Sequence, residues 1–157
     1  MYTRFMRTSR FCFQVPAMVF GGLTVVVSPL LALMQDQVAA LTRRSIPAGT
    51  LNSMSTAEEQ ASLLTRIEKG ELRLLYVSPE RAPRLGLELN RAGVTPRLLA
   101  IDEAHCISEW GHDFRPAYRQ LSRLREELGR PPVVALTGSA TAPVRTDIAA
   151  SLGLGRH

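Results

Sequence analysis

The sequence predicts an α/β domain, a parallel sheet flanked by helices. From Leu23 onward, short runs rich in Val, Leu and Ile alternate with stretches patterned at helical period, as strands joined by crossover helices must be. The apolar runs stop at serine-proline pairs or at a Thr-Gly-Ser cluster, residues that close a strand and open a helix. In a parallel sheet all such strand ends lie at one edge, where these folds bind ligands.

The elements follow in order. Leu23–Val27 is short and β-branched, as suits a strand buried on both faces. Ser28 and Pro29 read as a helix cap and first-turn proline, and the helix runs to about Arg43. Its predicted apolar face holds Leu30, Leu33, Met34, Val38 and Leu41. A short strand is expected near Thr50–Leu51. Ser55-Thr56-Ala57-Glu58 reads as a capping box that opens a helix through Glu68. Leu72–Val77 is the next strand, ending at Ser78-Pro79, and Arg97–Ile101 is the one after. Tyr118–Leu128 reads as a helix ended by Gly129, and Pro132–Leu136 as a strand leading into Thr137-Gly138-Ser139-Ala140-Thr141. Thr141 is expected to cap a last helix, with Pro143 in its first turn.

The 157 residues suit one domain with a real core, and 45% apolar content excludes a disordered or fibrous chain. A net charge of +5 favours polyanionic partners, weakly, because the arginines are spread along the sequence. Cys12 and Cys106 match no zinc or redox spacing and read as buried thiols of a reducing, cytoplasmic compartment. Phe11–Gln35 is uncharged and follows Arg4, Arg7 and Arg10, the outline of a membrane anchor. Gln14, Pro16, Gly21, Gly22, Ser28 and Pro29 interrupt it, so a soluble chain with no membrane partner is expected. Lysine occurs once, at Lys69, and no segment matches the phosphate-cradling pattern G-x-x-x-x-G-K-S/T.

The chemistry-bearing segment is Ile101–Pro116, IDEAHCISEWGHDFRP. Adjacent carboxylates at the end of a buried strand, Asp102 and Glu103, suit nucleotide hydrolysis. One can hold Mg²⁺ against phosphates while the other orients or deprotonates water. They also suit plain capping of a helix. Trp110, His112, Phe114 and Arg115 crowd the following loop, as a surface that stacks single-stranded bases does, or as a small core that packs the loop down. His105, Cys106, His112 and Asp113 have no spacing that closes a zinc site. Ser28-Pro29 through Gln37 can present a hydroxyl and free amides to a phosphate, or simply cap a helix; Ser78-Pro79-Glu80-Arg81 has the same two readings.

The acidic box and aromatic-rich loop together resemble those of RecQ-type DNA helicases, over about residues 11–154. The resemblance implies a RecA-like P-loop NTPase-type sheet, incomplete at the N-terminus. It also implies 3'-5' DNA unwinding in recombination and repair, ATP and Mg²⁺ as cofactors, single-stranded or forked DNA as partner, and a second motor domain or subunit. It gives Asp102 the Mg²⁺, Glu103 the water, and His105 the coupling of the site to the rest of the motor. Trp110, His112, Phe114 and Arg115 would sense single-stranded DNA; Ser28, Pro29 and Gln37 would contact its backbone. Thr137, Ser139 and Thr141 would couple nucleotide state to domain movement, with Gly138 and Ser139 departing from the usual Ala and Thr.

In that alignment the family's glycine-glycine-lysine-serine falls on Arg7, Thr8, Ser9 and Arg10, which cannot cradle phosphate. Met1–Met6 looks too short and weakly patterned to supply the strand feeding that loop. The expectation is therefore an altered segment over 1–10, a partial ATP-binding domain over 11–154 and a tail over 155–157. These residues hold no second motor domain, zinc module or winged helix. Unpaired sheet edges should lower solubility. Alone, the chain is expected neither to hydrolyse ATP nor to unwind DNA. The alternatives are a non-catalytic module for single-stranded nucleic acid, an ATPase with an unrecognised phosphate site, and an N-terminally membrane-anchored protein.

Overall fold

The computed structural model describes residues 3–6, 21–109, 114–137 and 141–153. Six four-residue strands, β1 (Thr3–Met6), β2 (Thr24–Val27), β3 (Ala48–Leu51), β4 (Leu74–Val77), β5 (Leu98–Ile101) and β6 (Val133–Leu136), form one sheet in the order β1-β6-β5-β2-β4-β3. Every pairing is parallel; Val25 of the central β2 lies level with Leu75 on one side and Leu99 on the other. The helices between them are α1 (Leu31–Arg43), α2 (Ala57–Glu68), α3 (Ala82–Ala92), α4 (Leu121–Glu127) and α5 (Ala142–Ser151). Short 3-10 helices over Ala104–Ile107 and Pro116–Gln120 bracket the acidic segment's loop.

Alternation along each strand splits the core in two. Val25, Val27, Leu75, Val77, Leu99 and Ile101 face one layer, where they meet Ile67, Leu85, Leu89, Leu124 and Ile148 from α2, α3, α4 and α5. Val26, Leu74, Tyr76 and Ala100 face the other, against Met34 and Leu41 of α1. Apart from Thr24, the central strands β2 and β5 are apolar because both their faces are covered, as the sequence predicted.

Several local expectations are corrected. Helix α1 begins at Leu31, with Leu30 at the cap position and exposed, so Ser28 is not its cap and Leu30 does not belong to its buried face. The capping box sits one residue later than expected, on Thr56 and Glu59, whose side chains exchange bonds with each other's backbone amides. Ser55 is drawn elsewhere, its hydroxyl accepting from the Asn52 amide at 3.1 Å. The stretch 118–128 is not one helix: Pro116 starts a 3-10 turn, and the α-helix begins at Leu121. Thr141 holds the cap position of α5 without a side-chain capping bond. Helix α3 was not anticipated; the left-handed Gly93 ends it. Finally, Thr3–Met6 does form a strand, level with Val133–Leu136. An edge strand needs only one partner's ladder to fix it, so four weakly patterned residues suffice.

Candidate functional site

Strands β6, β5 and β2 are neighbours, and their C-terminal ends deliver Thr137, Asp102 and Ser28 to one edge of the sheet. All three are buried despite being polar, so their hydrogen bonds decide whether the edge is stable. The Asp102 amide continues the ladder, donating to the Val27 carbonyl at 2.8 Å. The Ser28 hydroxyl donates to Asp102 Oδ2 at 3.4 Å and accepts from the Leu30 amide at 3.3 Å. Ser28 thus orients the carboxylate while tying down the chain that enters α1.

Past Asp102 the backbone turns sharply. Glu103 has φ 53°, the left-handed region that a side chain with Cβ seldom occupies. Its amide donates to Asp102 Oδ1 at 3.0 Å. Its carboxylate lies 3.3 Å from His105 Nε2, and His105 Nδ1 is 2.9 Å from Thr137 Oγ1. Glu103, His105 and Thr137 therefore form one relay that joins the ends of β5 and β6. With only two ring nitrogens, both engaged, His105 is held in one orientation.

The loop after the acidic box is closed at its feet. Arg115 donates its amide to the Cys106 carbonyl at 2.9 Å, and the Tyr118 hydroxyl donates to the Asp102 carbonyl at 3.0 Å. Burial drives the Tyr118 phenol pKa far above its ordinary value, with the charges of Cys106, Asp102 and Glu103 adding to the rise, so it remains a donor. Phe114 is half-buried and lies 5.4 Å beneath the Arg119 guanidinium, while Arg115 is exposed. Arg119 also reaches Glu109 at 3.3 Å. Trp110, His112 and Ser139, and the stretch Arg7–Arg10, lie outside the described residues.

The sequence-predicted residues thus divide. Ser28, Asp102, Glu103, His105 and Thr137 meet in one network. Pro29 and Gln37 are half-buried, and Gln37 lies two turns into α1, some ~9 Å along its axis from Leu31. Thr141 is exposed at the start of α5. Sequence reasoning placed Tyr118 at the start of a helix and missed its bond to Asp102, although a tyrosine closing an acidic loop is a fair signal of one. Lys69 caps the C-terminal end of α2, five residues before β4 starts, and so stands at the opposite edge of the sheet from Asp102.

The donor chemistry suits Mg²⁺ only in part. Asp102 supplies a hard oxygen ligand, which is enough when nucleotide phosphates and water complete the shell. Among the described residues no three His, Cys, Asp or Glu side chains gather to hold a metal by themselves. No helix among them is long and apolar enough to cross a membrane.

A family profile for the DEAD/DEAH box helicase matches residues 11–148. The chain is 44% identical over 142 residues to the ATP-dependent DNA helicase RecQ of Bacillus subtilis, covering 90% of this chain and 24% of that protein. It is 46% identical over 143 residues to RecQ of Pasteurella multocida, covering 91% and 23%. It is 43% identical over 149 residues to mouse ATP-dependent DNA helicase Q5, covering 91% and 15%. The chain thus spans a quarter or less of these relatives. The crystal structure of the Pyrococcus furiosus Hef helicase domain superposes with a TM-score of 0.61 at 17% identity, covering 98% of this chain and 33% of that one, which shows the fold.

Proposed function

The chain belongs to the DEAD/DEAH box helicase family, and from that membership we propose that it is part of the first motor domain of a RecQ-type 3'-5' DNA helicase. It retains the acidic strand end and the DNA-sensing loop, but as a separate molecule it neither hydrolyses ATP nor unwinds DNA. The family uses ATP and Mg²⁺. When bound together they supply a phosphoryl group made electrophilic by the metal. Asp102 is the residue that would hold the metal, steadied by Ser28. In a motor with an intact phosphate loop, Glu103, kept in place by His105, is the carboxylate that would accept a proton from water. Trp110, His112, Phe114 and Arg115 would meet single-stranded DNA, with Ser28, Pro29 and Gln37 near its backbone. Thr137, Ser139 and Thr141 would carry the state of the site toward a second motor domain or subunit.

The observation that carries the loss of hydrolysis is the single lysine. Residues aligned with the phosphate loop are Arg7, Thr8, Ser9 and Arg10, and Lys69 caps a helix at the far edge of the sheet. The charge that stabilises a transferring phosphoryl group has no source in this chain's own lysines. These residues do not fit Mg-ATP, so no chemical step is assigned to them. Phosphate release from Mg-ATP, with and without single-stranded DNA, tests this against a Glu103→Gln variant. The two proteins should release phosphate equally slowly. DNA-stimulated release that vanishes in the variant would establish a phosphate site elsewhere and overturn the reading.

A second reading, a non-catalytic binding module for single-stranded nucleic acid, draws support from the net charge of +5 and the exposed Arg115 beside the Arg119–Phe114 stack. It requires binding that weakens as salt rises. Fluorescence anisotropy with labelled single strands measures that directly, and salt-independent or absent binding would exclude it.

A further inference from the structure

Five residues at the acidic site are joined by a closed circuit of hydrogen bonds. The Cys106 amide donates to the Glu103 carbonyl at 2.9 Å, Arg115 to Cys106 at 2.9 Å and Tyr118 to Arg115 at 3.0 Å. The Tyr118 hydroxyl then closes the circuit on the Asp102 carbonyl at 3.0 Å. That carbonyl shares a peptide plane with the Glu103 amide, which Asp102 Oδ1 holds at 3.0 Å. Both polar groups of a single peptide unit are therefore clamped, one by the loop's far foot and one by the site's own carboxylate.

This clamp sits where the backbone needs it. Rotating the Asp102–Glu103 peptide changes ψ of Asp102 and φ of Glu103 together, and φ 53° at Glu103 is disfavoured for any residue with a side chain. Relaxation to negative φ would turn the Asp102 carbonyl away from Tyr118, withdraw the amide from Oδ1 and re-aim the Glu103 carboxylate. Tyr118 is 1% exposed and its ring lies in the main core cluster, so the hydroxyl has little freedom to follow.

We infer that Tyr118 is a positioning residue: its hydroxyl latches the Asp102–Glu103 peptide and ties the conformation of Glu103 to the foot of the aromatic loop. The latch deepens the proposed function and rests on it for its purpose, but its geometry stands independently. A change in the loop that shifts residues 116–120 loosens the latch, and Glu103 relaxes. No contact between Tyr118 and DNA or nucleotide is required.

The test is nuclear magnetic resonance on the isotopically labelled full chain. Left-handed φ brings a residue's amide and Hα protons close together, so Glu103 should give an intraresidue cross-peak about fivefold stronger than its neighbours in β5. A weak peak in the unmodified chain would by itself end the proposal. In Tyr118→Phe, which keeps the ring, that peak should fall to the level of β5 while resonances of Val25 and Leu99 hold still. A Glu103 peak unchanged in the variant would overturn the latch. Oligothymidylate supplies the third arm, with quenching of Trp110, the chain's one tryptophan, reporting binding. Binding should move the Glu103 amide in the unmodified chain and leave it still in Tyr118→Phe. Binding that leaves Glu103 unmoved in both overturns the link to the loop while the proposed function stands. Absence of binding removes the DNA-sensing role from the proposed function, and the first two arms still decide the latch.

Discussion

Replacing Thr137 with valine isolates one bond of the relay with almost no change of shape. The hydroxyl lies 2.9 Å from His105 Nδ1, and the two residues are each 6% exposed, so water cannot readily take its place. Losing a hydrogen bond and leaving a buried partner unsatisfied costs about 1–3 kcal/mol. At ~2 kcal/mol, a domain of this size should melt roughly 4–8 °C lower. A fall of that kind has other possible sources, so the decisive quantity is the coupling. In a His105→Ala background, Thr137→Val should cost about 1 kcal/mol less, because the partner it strands is already gone. Urea titration of the four proteins at fixed pH gives the cycle. Additivity within ~0.3 kcal/mol would mean the two side chains are merely adjacent, and the Glu103–His105–Thr137 relay would have to be abandoned.

Three further outcomes follow from the same geometry. Tyr118 ionises far above the ordinary phenol value when folded, so the stability it contributes is complete below about pH 10 and is lost as pH rises beyond that. Alkaline urea titrations should show Tyr118→Phe losing stability less steeply there than the unmodified chain; equal slopes would refute the burial argument. Arg125 is fully buried and donates to the carbonyls of Pro131, Leu152 and Gly153; Arg125→Met should lower stability by about 2–4 kcal/mol by stranding them, and a loss under ~1 kcal/mol in calorimetry would contradict that. Trp110→Ala should weaken binding of a labelled single strand by about 1–3 kcal/mol in anisotropy, with unchanged affinity counting against the loop's role.

The parts of this fold that were legible in the sequence are those where one physical requirement dominates. Val25–Val27, Leu74–Val77 and Leu99–Ile101 had to be strands because both faces are covered, which leaves an unbroken apolar run. Asp102 and Glu103 were legible as the polar end of β5, where the buried apolar run breaks off. Local punctuation was less dependable, since it depends on competition between neighbouring polar groups. Ser28 looked like a helix cap, yet its hydroxyl turns to Asp102, 74 residues away, a partner that no local pattern reveals. Ser55 and Thr56 both fit a capping box, and only the fold shows that Asn52 claims the first. Helix α3 went unpredicted because Pro83 and Gly86 interrupt its period. At Gly86 α3 packs closely on α4: a Cβ would stand 2.5 Å from Glu127 Oε2 and 3.0 Å from Leu124 Cδ1. The Glu103–His105–Thr137 relay was beyond sequence reasoning, although each member had been named separately.

The same bonds give the acidic strand end a structural use besides the chemistry it suits. Asp102 extends the β5 ladder through its amide, anchors Ser28 through Oδ2 and receives the Glu103 amide at Oδ1, while its carbonyl takes the Tyr118 hydroxyl. Glu103 and His105 join the ends of β5 and β6 through Thr137. Each residue that would serve hydrolysis also satisfies a polar group which burial would otherwise penalise. Substituting Asp102 therefore disturbs the sheet edge whether or not nucleotide is ever turned over. The presence of the pair is not in itself a sign of activity, and a loss of function on mutating it is not proof of a catalytic role. The phosphate loop differs in kind: its lysine acts on the nucleotide, and 18 of this chain's 19 basic residues are arginine. The discriminating comparison is thus between stability and phosphate release in Glu103→Gln, which keeps the side chain's size and removes its charge. A stability change with no change in release is the result expected of a site kept for the fold.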